Sequence, residues 1–399
     1  MKNIYYIFLL AFAALLAGCE RHPVDPGTEV YPGAYIFLDA KVVNTKSNLY
    51  DEETLPKDKN TSFGVFGIKD DGQTPIFDNY TADENSPFDN VAILYRPKRP
   101  SGSGPNRVPA DFIYDHLALW GSGENSFYAY YINGSEYHGE EFDDTEFDSF
   151  FTSTRNVISD VGVRRTSSKV YMEYNQPNTF EKMVDVMTAK TTTPRCDVVD
   201  LEFEHRLFAI DVVVRNNQIE DNNETVGKAF TFSNPTITFR VPSGGDLYFD
   251  DENSNSLNAD SLDVTYTFVP ADGTSFTIEA PRKTPKDLNL NGTIETSITG
   301  RAENNPFLFL PCESLRVVGF SLTFENSWGE SATPEYSWKV SPEGGFKPGH
   351  KYQLIIQKNH YGSEFEFVPQ IAVLEYDEDG NITGEGNWND KGDVDHTFN

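Results

Sequence analysis

Thr236-Ile237-Thr238-Phe239-Arg240-Val241 sets polar and apolar side chains in strict alternation. Successive side chains of an extended chain point to opposite faces, so a period of two marks a strand with one dry and one wet face. The pattern recurs outward from this segment. Val264, Tyr266 and Phe268 alternate with Thr265 and Thr267; Val318, Phe320, Leu322 and Phe324 share one parity, as do Tyr352, Leu354 and Ile356. Far upstream, Ile36, Leu38, Ala40 and Val42 form one apolar face. Aromatic residues make up 14% of the chain against only four methionines, a balance that suits pleated sheet surfaces.

Turn chemistry punctuates these runs. Asp71-Gly72, Asn133-Gly134, Asp272-Gly273, Asn291-Gly292 and Asp379-Gly380 are hairpin-type dipeptides that tolerate positive φ. Helical spacing is confined to residues 179–190, where Phe180, Met183, Val184 and Met187 recur at three- and four-residue intervals, and the end of that segment also reads as a strand. Many short strands between Gly, Pro and Asn turns predict an all-β fold built of sandwiches. The length suits two domains. The polar stretch Thr191 to Arg195 separates two strand-rich halves, residues 32–192 and 193–399. Arg96 to Pro109 reads as a protease-sensitive surface loop, and Asp250 to Asp260 as a second polar loop.

The first residues address the chain. Lys2 precedes an uninterrupted apolar run from Ile4 to Ala17, too short to cross a bilayer comfortably and suited to the core of a signal peptide. The run closes on Leu16-Ala17-Gly18-Cys19, which resembles the lipobox cut by lipoprotein signal peptidase between Gly18 and Cys19. Residues 1–18 are then removed and Cys19 becomes an acylated first residue. Each buried methylene adds about 0.8 kcal/mol, so several acyl chains on one cysteine anchor firmly. Residues 19–31 form a polar tether. The expected location is the outer membrane surface, with the body anchored by lipid rather than inserted.

Net charge is −30, from 62 acidic against 32 basic residues. Such a surface repels nucleic acid and offers no grip on anionic lipid. Besides Cys19, only Cys196 and Cys312 are present. A disulfide between them is permitted in an exported protein, and in the chain-entropy model closing so long a loop contributes about 4 to 5 kcal/mol.

No convergent catalytic set is legible. The chain lacks a G-x-S-x-G elbow, an H-E-x-x-H helix, a P-loop and a G-x-G-x-x-G turn. His205, inside Leu201-Glu202-Phe203-Glu204-His205-Arg206-Leu207, reads as a hydrogen-bonded structural histidine. Asp377-Glu378-Asp379-Gly380-Asn381-Ile382 has alternating oxygen ligands but no bidentate acid where a calcium loop needs one, and Asp251-Glu252-Asn253-Ser254-Asn255 lacks the required glycine. No metal, cofactor or enzymatic activity is expected.

Several segments together resemble the fimbrillin-like (type V pilin, Mfa-like) family of Gram-negative gut and oral anaerobes. They are the lipobox followed by a strand and Thr45-Lys46-Ser47; Ser62-Phe63-Gly64-Val65-Phe66-Gly67; and Trp120 with Ser126-Phe127-Tyr128-Ala129-Tyr130-Tyr131. Asp185-Val186-Met187-Thr188-Ala189 follows, then Val199 to Ala209, like the family's L-x-F-x-H-x-x-A strand pair. Phe307-Leu308-Phe309-Leu310-Pro311 and Gly349-His350-Lys351-Tyr352 complete an order that spans nearly the whole chain.

The resemblance implies two tandem transthyretin-like β-sandwich domains and a role in a fimbrium. It implies that a trypsin-like protease removes the lipidated segment with its first strand, and that a strand from another subunit fills the groove. Ile36, Leu38, Ala40 and Val42 would be the exchanged face, and Lys46-Ser47 the candidate maturation site, with Lys41 and Lys57 as rivals. The pattern departs from the family here, because its relatives are cut after Arg and no Arg lies between Arg21 and Arg96. Expected partners are other fimbrial subunits, the maturation protease, and a surface glycan or host ligand for adhesion. The short polar tail from Trp388 to Asn399 favours a tip or accessory subunit. Asp260-Ser261-Leu262 also fits a short O-glycosylation sequon of such bacteria, which makes Ser261 a candidate modification site. The competing reading is a surface glycan-binding lipoprotein of a polysaccharide-uptake system.

Overall fold

The computed structural model describes residues 36–42, 62–69, 89–95, 112–113, 120, 124–132, 161–165, 170–183, 185–194, 198–216, 229–249, 255–270, 275–279, 286–291, 306–325, 330–361, 364–376 and 382–385. Among them the only helical element is a single 3-10 turn, Phe180–Lys182. Phe180 and Met183 are buried there as the helical spacing implied, but the turn stops and Val186 starts a strand. The all-β expectation holds.

The first sheet contains β1 (Leu38–Val42), β2 (Ser62–Lys69), β3 (Asp89–Tyr95), β4 (Phe112–Ile113) and β5 (Asn125–Ile132). Two later strands complete it: β8 (Val186–Thr193) and β9 (Val199–His205). It closes on itself in the order β1-β4-β3-β2-β5-β8-β9. A separate four-stranded sheet runs β13-β12-β7-β6. Its members are β6 (Val161–Arg165), β7 (Val170–Asn175), β12 (Gly244–Tyr248) and β13 (Ser256–Leu257).

Two six-stranded sheets form a sandwich. In one, β16 (Lys286–Asn289), β10 (Phe208–Asn216), β21 (Lys351–Tyr361), β22 (Glu364–Tyr376) and β23 (Ile382–Glu385) lie in that order, and β17 (Phe307–Phe309) also pairs with β10. In the other, the order is β14 (Ser261–Thr267), β11 (Phe230–Pro242), β18 (Leu315–Glu325) and β19 (Ser331–Ala332). β15 (Phe276–Ile278) joins β11, and β20 (Glu335–Val340) joins β18. Aromatic rings interlock between the layers. Phe239 on β11 meets Phe307 and Phe309 of β17 at 5.0 and 5.2 Å, and Phe320 on β18 meets Phe367 of β22 at 6.1 Å. Edge-to-face and tilted pairs at these separations add to plain burial.

The opening hexapeptide behaves as its period demands: Ile237, Phe239 and Val241 are buried, and Arg240 is exposed. The parity of β18 does not hold throughout. Register shifts between Val317 and Phe320, so Leu315 and Val317 precede the shift and Phe320, Leu322 and Phe324 follow it on the buried side. Val318 falls in the shift and is only half-buried, because two residues there oppose one and the alternation skips a beat.

β10 runs parallel to β21, Ala209 to Asn216 alongside Lys351 to Lys358. Parallel strands are covered on both faces. Ile355 is accordingly as buried as Leu354 and Ile356, and packs with Val213 and Ala372. Gly349 enters β21 at φ 68°, a left-handed backbone that explains the glycine of Gly349-His350-Lys351-Tyr352, and its N–H bonds to Leu207 O. Asn291 is buried rather than exposed at a turn tip; its side-chain carbonyl accepts the Val212 N–H. The other hairpin dipeptides lie outside the described residues.

The chain divides into two compact units whose segments interleave along the sequence. One holds Met1–Ala40, Lys57–Ala129 and Lys190–Leu201; the other holds Lys41–Pro56, Tyr130–Ala189 and Glu202–Asn399. The first buries Ile36, Leu38, Phe63, Val65, Ile93, Phe112, Phe127, Val199 and Leu201, with Phe63 and Phe112 edge-on at 5.2 Å. The second contains the aromatic sandwich.

Candidate functional site

The leading strand alternates as its sequence requires. Ile36 and Leu38 are fully buried and Ala40 nearly so, while Lys41 is exposed. Val42 is half-buried, so the apolar face thins toward the strand's end. On one side Leu38 lies opposite Phe112 of β4, a strand of two residues. On the other, Val199 at the start of β9 donates its N–H to Phe37 O at 2.8 Å. β1 therefore closes the sheet between β4 and β9. Full burial of two large aliphatic side chains is worth about 1.5–3 kcal/mol each.

Lys41 Nζ pairs with Glu202 Oε1 at 2.7 Å, yet both side chains are more than half exposed (57% and 56%). Exposed pairs of this kind contribute about 0–1 kcal/mol. Asp39 Oδ1 accepts the neighbouring Ala40 N–H at 2.9 Å. Lys41, one rival cleavage position, sits inside the strand with its ammonium group engaged. Gly18, Cys19, Lys46, Ser47 and Lys57 lie outside the described residues.

His205 ends β9 and is buried with Asp185, Nδ1 to Oδ2 2.6 Å, directly before β8. Burial pulls the imidazole pKa down, but the charge and hydrogen bond of Asp185 together outweigh it, and the net shift is upward. The antiparallel register that sets Met187 against His205 brings the two side chains together across twenty residues of sequence. Arg206, the next residue, is also buried; its Nη2 donates to Tyr248 O at 2.6 Å and to Asn255 Oδ1 at 3.2 Å. His205 thus holds a hydrogen-bonded place in the interior. The sequence places Asp185 and Arg206 only within quoted motifs and gives neither a role; the contact of Asp185 with His205 depends on the strand register.

Cys312 is a free thiol whose Sγ donates to Ser314 O at 3.4 Å, and burial pushes its pKa up to about 12. Cys196 lies outside the described residues. Ser261 is exposed at the head of β14, opposite Pro242. No group of three or more His, Cys, Asp or Glu side chains converges on a metal-sized site among the described residues. Both acidic stretches weighed as calcium loops fall outside those residues, apart from Asn255 and Ile382.

No protein-family model matches the chain, and a search of curated proteins finds no match. Among solved structures, the chain is similar to a fimbrial protein from Bacteroides vulgatus at 11% identity and a TM-score of 0.48, over 85% of this chain and 99% of that one. It is also similar to the fimbrial anchor protein Mfa2 from Porphyromonas gingivalis at 10% identity and a TM-score of 0.34, over 86% of this chain and 97% of that one.

Proposed function

We propose that the chain is a non-enzymatic fimbrial subunit, of tip or accessory type, that joins its neighbours by exchanging its first strand and contributes to cell adhesion. Cys19 carries the lipid anchor in the outer membrane until cleavage after Lys46 releases the leading segment. Residues 32–192 and 193–399 are the two domains of this reading. The observation that carries it is the position of β1: Ile36, Leu38 and Ala40 plug the core at the seam between β4 and β9. Loss of such a strand bares an apolar slot and a row of unpaired backbone groups. An incoming strand of the same alternation restores both by β-strand addition.

Limited trypsin digestion of the purified chain, followed by N-terminal mass spectrometry and native gels, tests this directly. The expected result is a new N-terminus at Ser47 and a ladder of assemblies. A trimmed body that stays monomeric contradicts strand exchange, while an uncut chain contradicts the cleavage step.

A further inference from the structure

An exposed row of basic side chains is anomalous in a chain with 62 acidic and 32 basic residues. The sheet register builds one such row on the outer face of the β14-β11-β18 layer. Asp263 on β14 lies opposite Arg240 on β11, Arg240 opposite Arg316 on β18, and Arg316 opposite Lys339 on β20. Directly opposed residues share a face. The next row, Val264, Phe239, Val317 and Trp338, is buried, so the charged row points outward. With neighbouring strands about 4.8 Å apart, three cations stand in a line roughly 10 Å long across the sheet.

Only one of the three has an acid beside it. Asp263 accepts from Arg240 Nε and Nη2 at 2.7 and 2.8 Å, and the Arg240 side chain is still 47% exposed. Arg316 and Lys339 are exposed, and no ion pair joins either to an acid among the described residues. Like charges placed directly opposite on adjacent strands destabilise a sheet. Here two such juxtapositions adjoin, a cost that a bound anion would remove.

The ground beside the row suits a polyol. Thr238 and Thr265 share a hydrogen bond at 2.9 Å, Thr236 and Thr267 another at 2.8 Å, and Ser321 lies opposite Thr236. Gly319 leaves room between them: a side-chain carbon there would meet nothing closer than 3.7 Å. Leu257 and Val269, the large apolar side chains exposed among the described residues, lie outside the row. Protein partners anchor on buried aromatic and aliphatic groups, which this face does not offer. Guanidinium and ammonium groups pair well with carboxylate and sulfate.

We propose that Arg240, Arg316 and Lys339, with the threonine apron beside them, bind an anionic polysaccharide, carboxylated or sulfated. The negative field of the rest of the chain is screened beyond about 8–10 Å at physiological salt, so the local row decides the contact. The site uses no residue of β1 and stands whether or not that strand exchanges.

Affinity electrophoresis of the full chain in native gels containing polygalacturonate, heparin or dextran tests the proposal. Retardation is expected with polygalacturonate or heparin and not with neutral dextran; the two anionic gels tell carboxylate from sulfate. The double variant Arg316→Glu/Lys339→Glu should weaken that retardation about tenfold or more. Lys347→Glu, an exposed lysine outside the row, should leave it unchanged. Circular dichroism melts confirm that each variant is folded. No retardation in either anionic gel, equal retardation in dextran, or retardation that survives the double charge reversal overturns the site. Self-association abolished by the double variant, without polysaccharide binding, makes the row a protein contact and likewise overturns it.

Discussion

β1 and β21 are both alternating strands with buried aliphatic side chains, yet they are held in different ways. β21 lies between β10 and β22, paired with β10 over Lys351 to Lys358 and with β22 over Tyr352 to Tyr361. β1 lies between β4 and β9, with Leu38 opposite Phe112 and the Val199 N–H on Phe37 O. β1 is dry on one face and thins toward Val42, whereas β21 buries Ile355 as well as Leu354 and Ile356. Under the strand exchange proposed above, burial of Ile36 and Leu38 makes loss of β1 costly enough for replacement to be driven.

That contrast is open to attack by mutation, beginning where the effect should be largest. Phe307 touches Phe180, Phe239, Tyr266, Phe268 and Phe309. Phe307→Ala should cost about 3–5 kcal/mol in chemical denaturation and loosen the sandwich as a whole. Leu38→Ala should cost about 2–4 kcal/mol. Hydrogen exchange should then show its effect concentrated on β1 and its neighbours, with β10 and β21 still protected. If β21 loses protection equally, the two strands are not distinct in the way described.

Asp185→Asn should cost about 1–3 kcal/mol by weakening a buried, charge-assisted bond, and it should also change the pH dependence. Because the folded pKa of His205 is raised, its pair with Asp185 contributes stability that is complete below the unfolded value of about 6.5. That contribution is lost as pH rises through the folded value. Urea titrations between about pH 5.5 and 8.5 should show this decline in the native chain and not in Asp185→Asn. The smallest effect belongs to Lys41→Gln, expected within about 0.5 kcal/mol of the native chain in the same titrations.

Much of the architecture was legible because it rests on local period. The buried faces of β1, β11 and β14 follow from alternation, since one dry face requires it. What was not legible depends on partners distant in sequence. The shift at Val318 exists only relative to β11 and β20, and the parallel pairing of β10 with β21 leaves no mark in either segment beyond general apolarity. Asp185 meets His205, and Arg240 meets Arg316 and Lys339, through register alone. The β1 face could be named in advance because it is a property of one segment, whereas the basic row could not because it is a property of four.

The seam itself can be locked. Leu38 and Phe112 are opposed across β1 and β4, and antiparallel partners about 4.5–5.5 Å apart at Cα are within reach of a disulfide. In a background with Cys196 and Cys312 replaced by serine, Leu38→Cys/Phe112→Cys would staple β1 to its own sheet. After trypsin, the oxidised chain should remain monomeric and its reduced form should polymerise. Polymerisation of the oxidised chain to the same extent would show that subunits join without releasing β1, and would contradict the account.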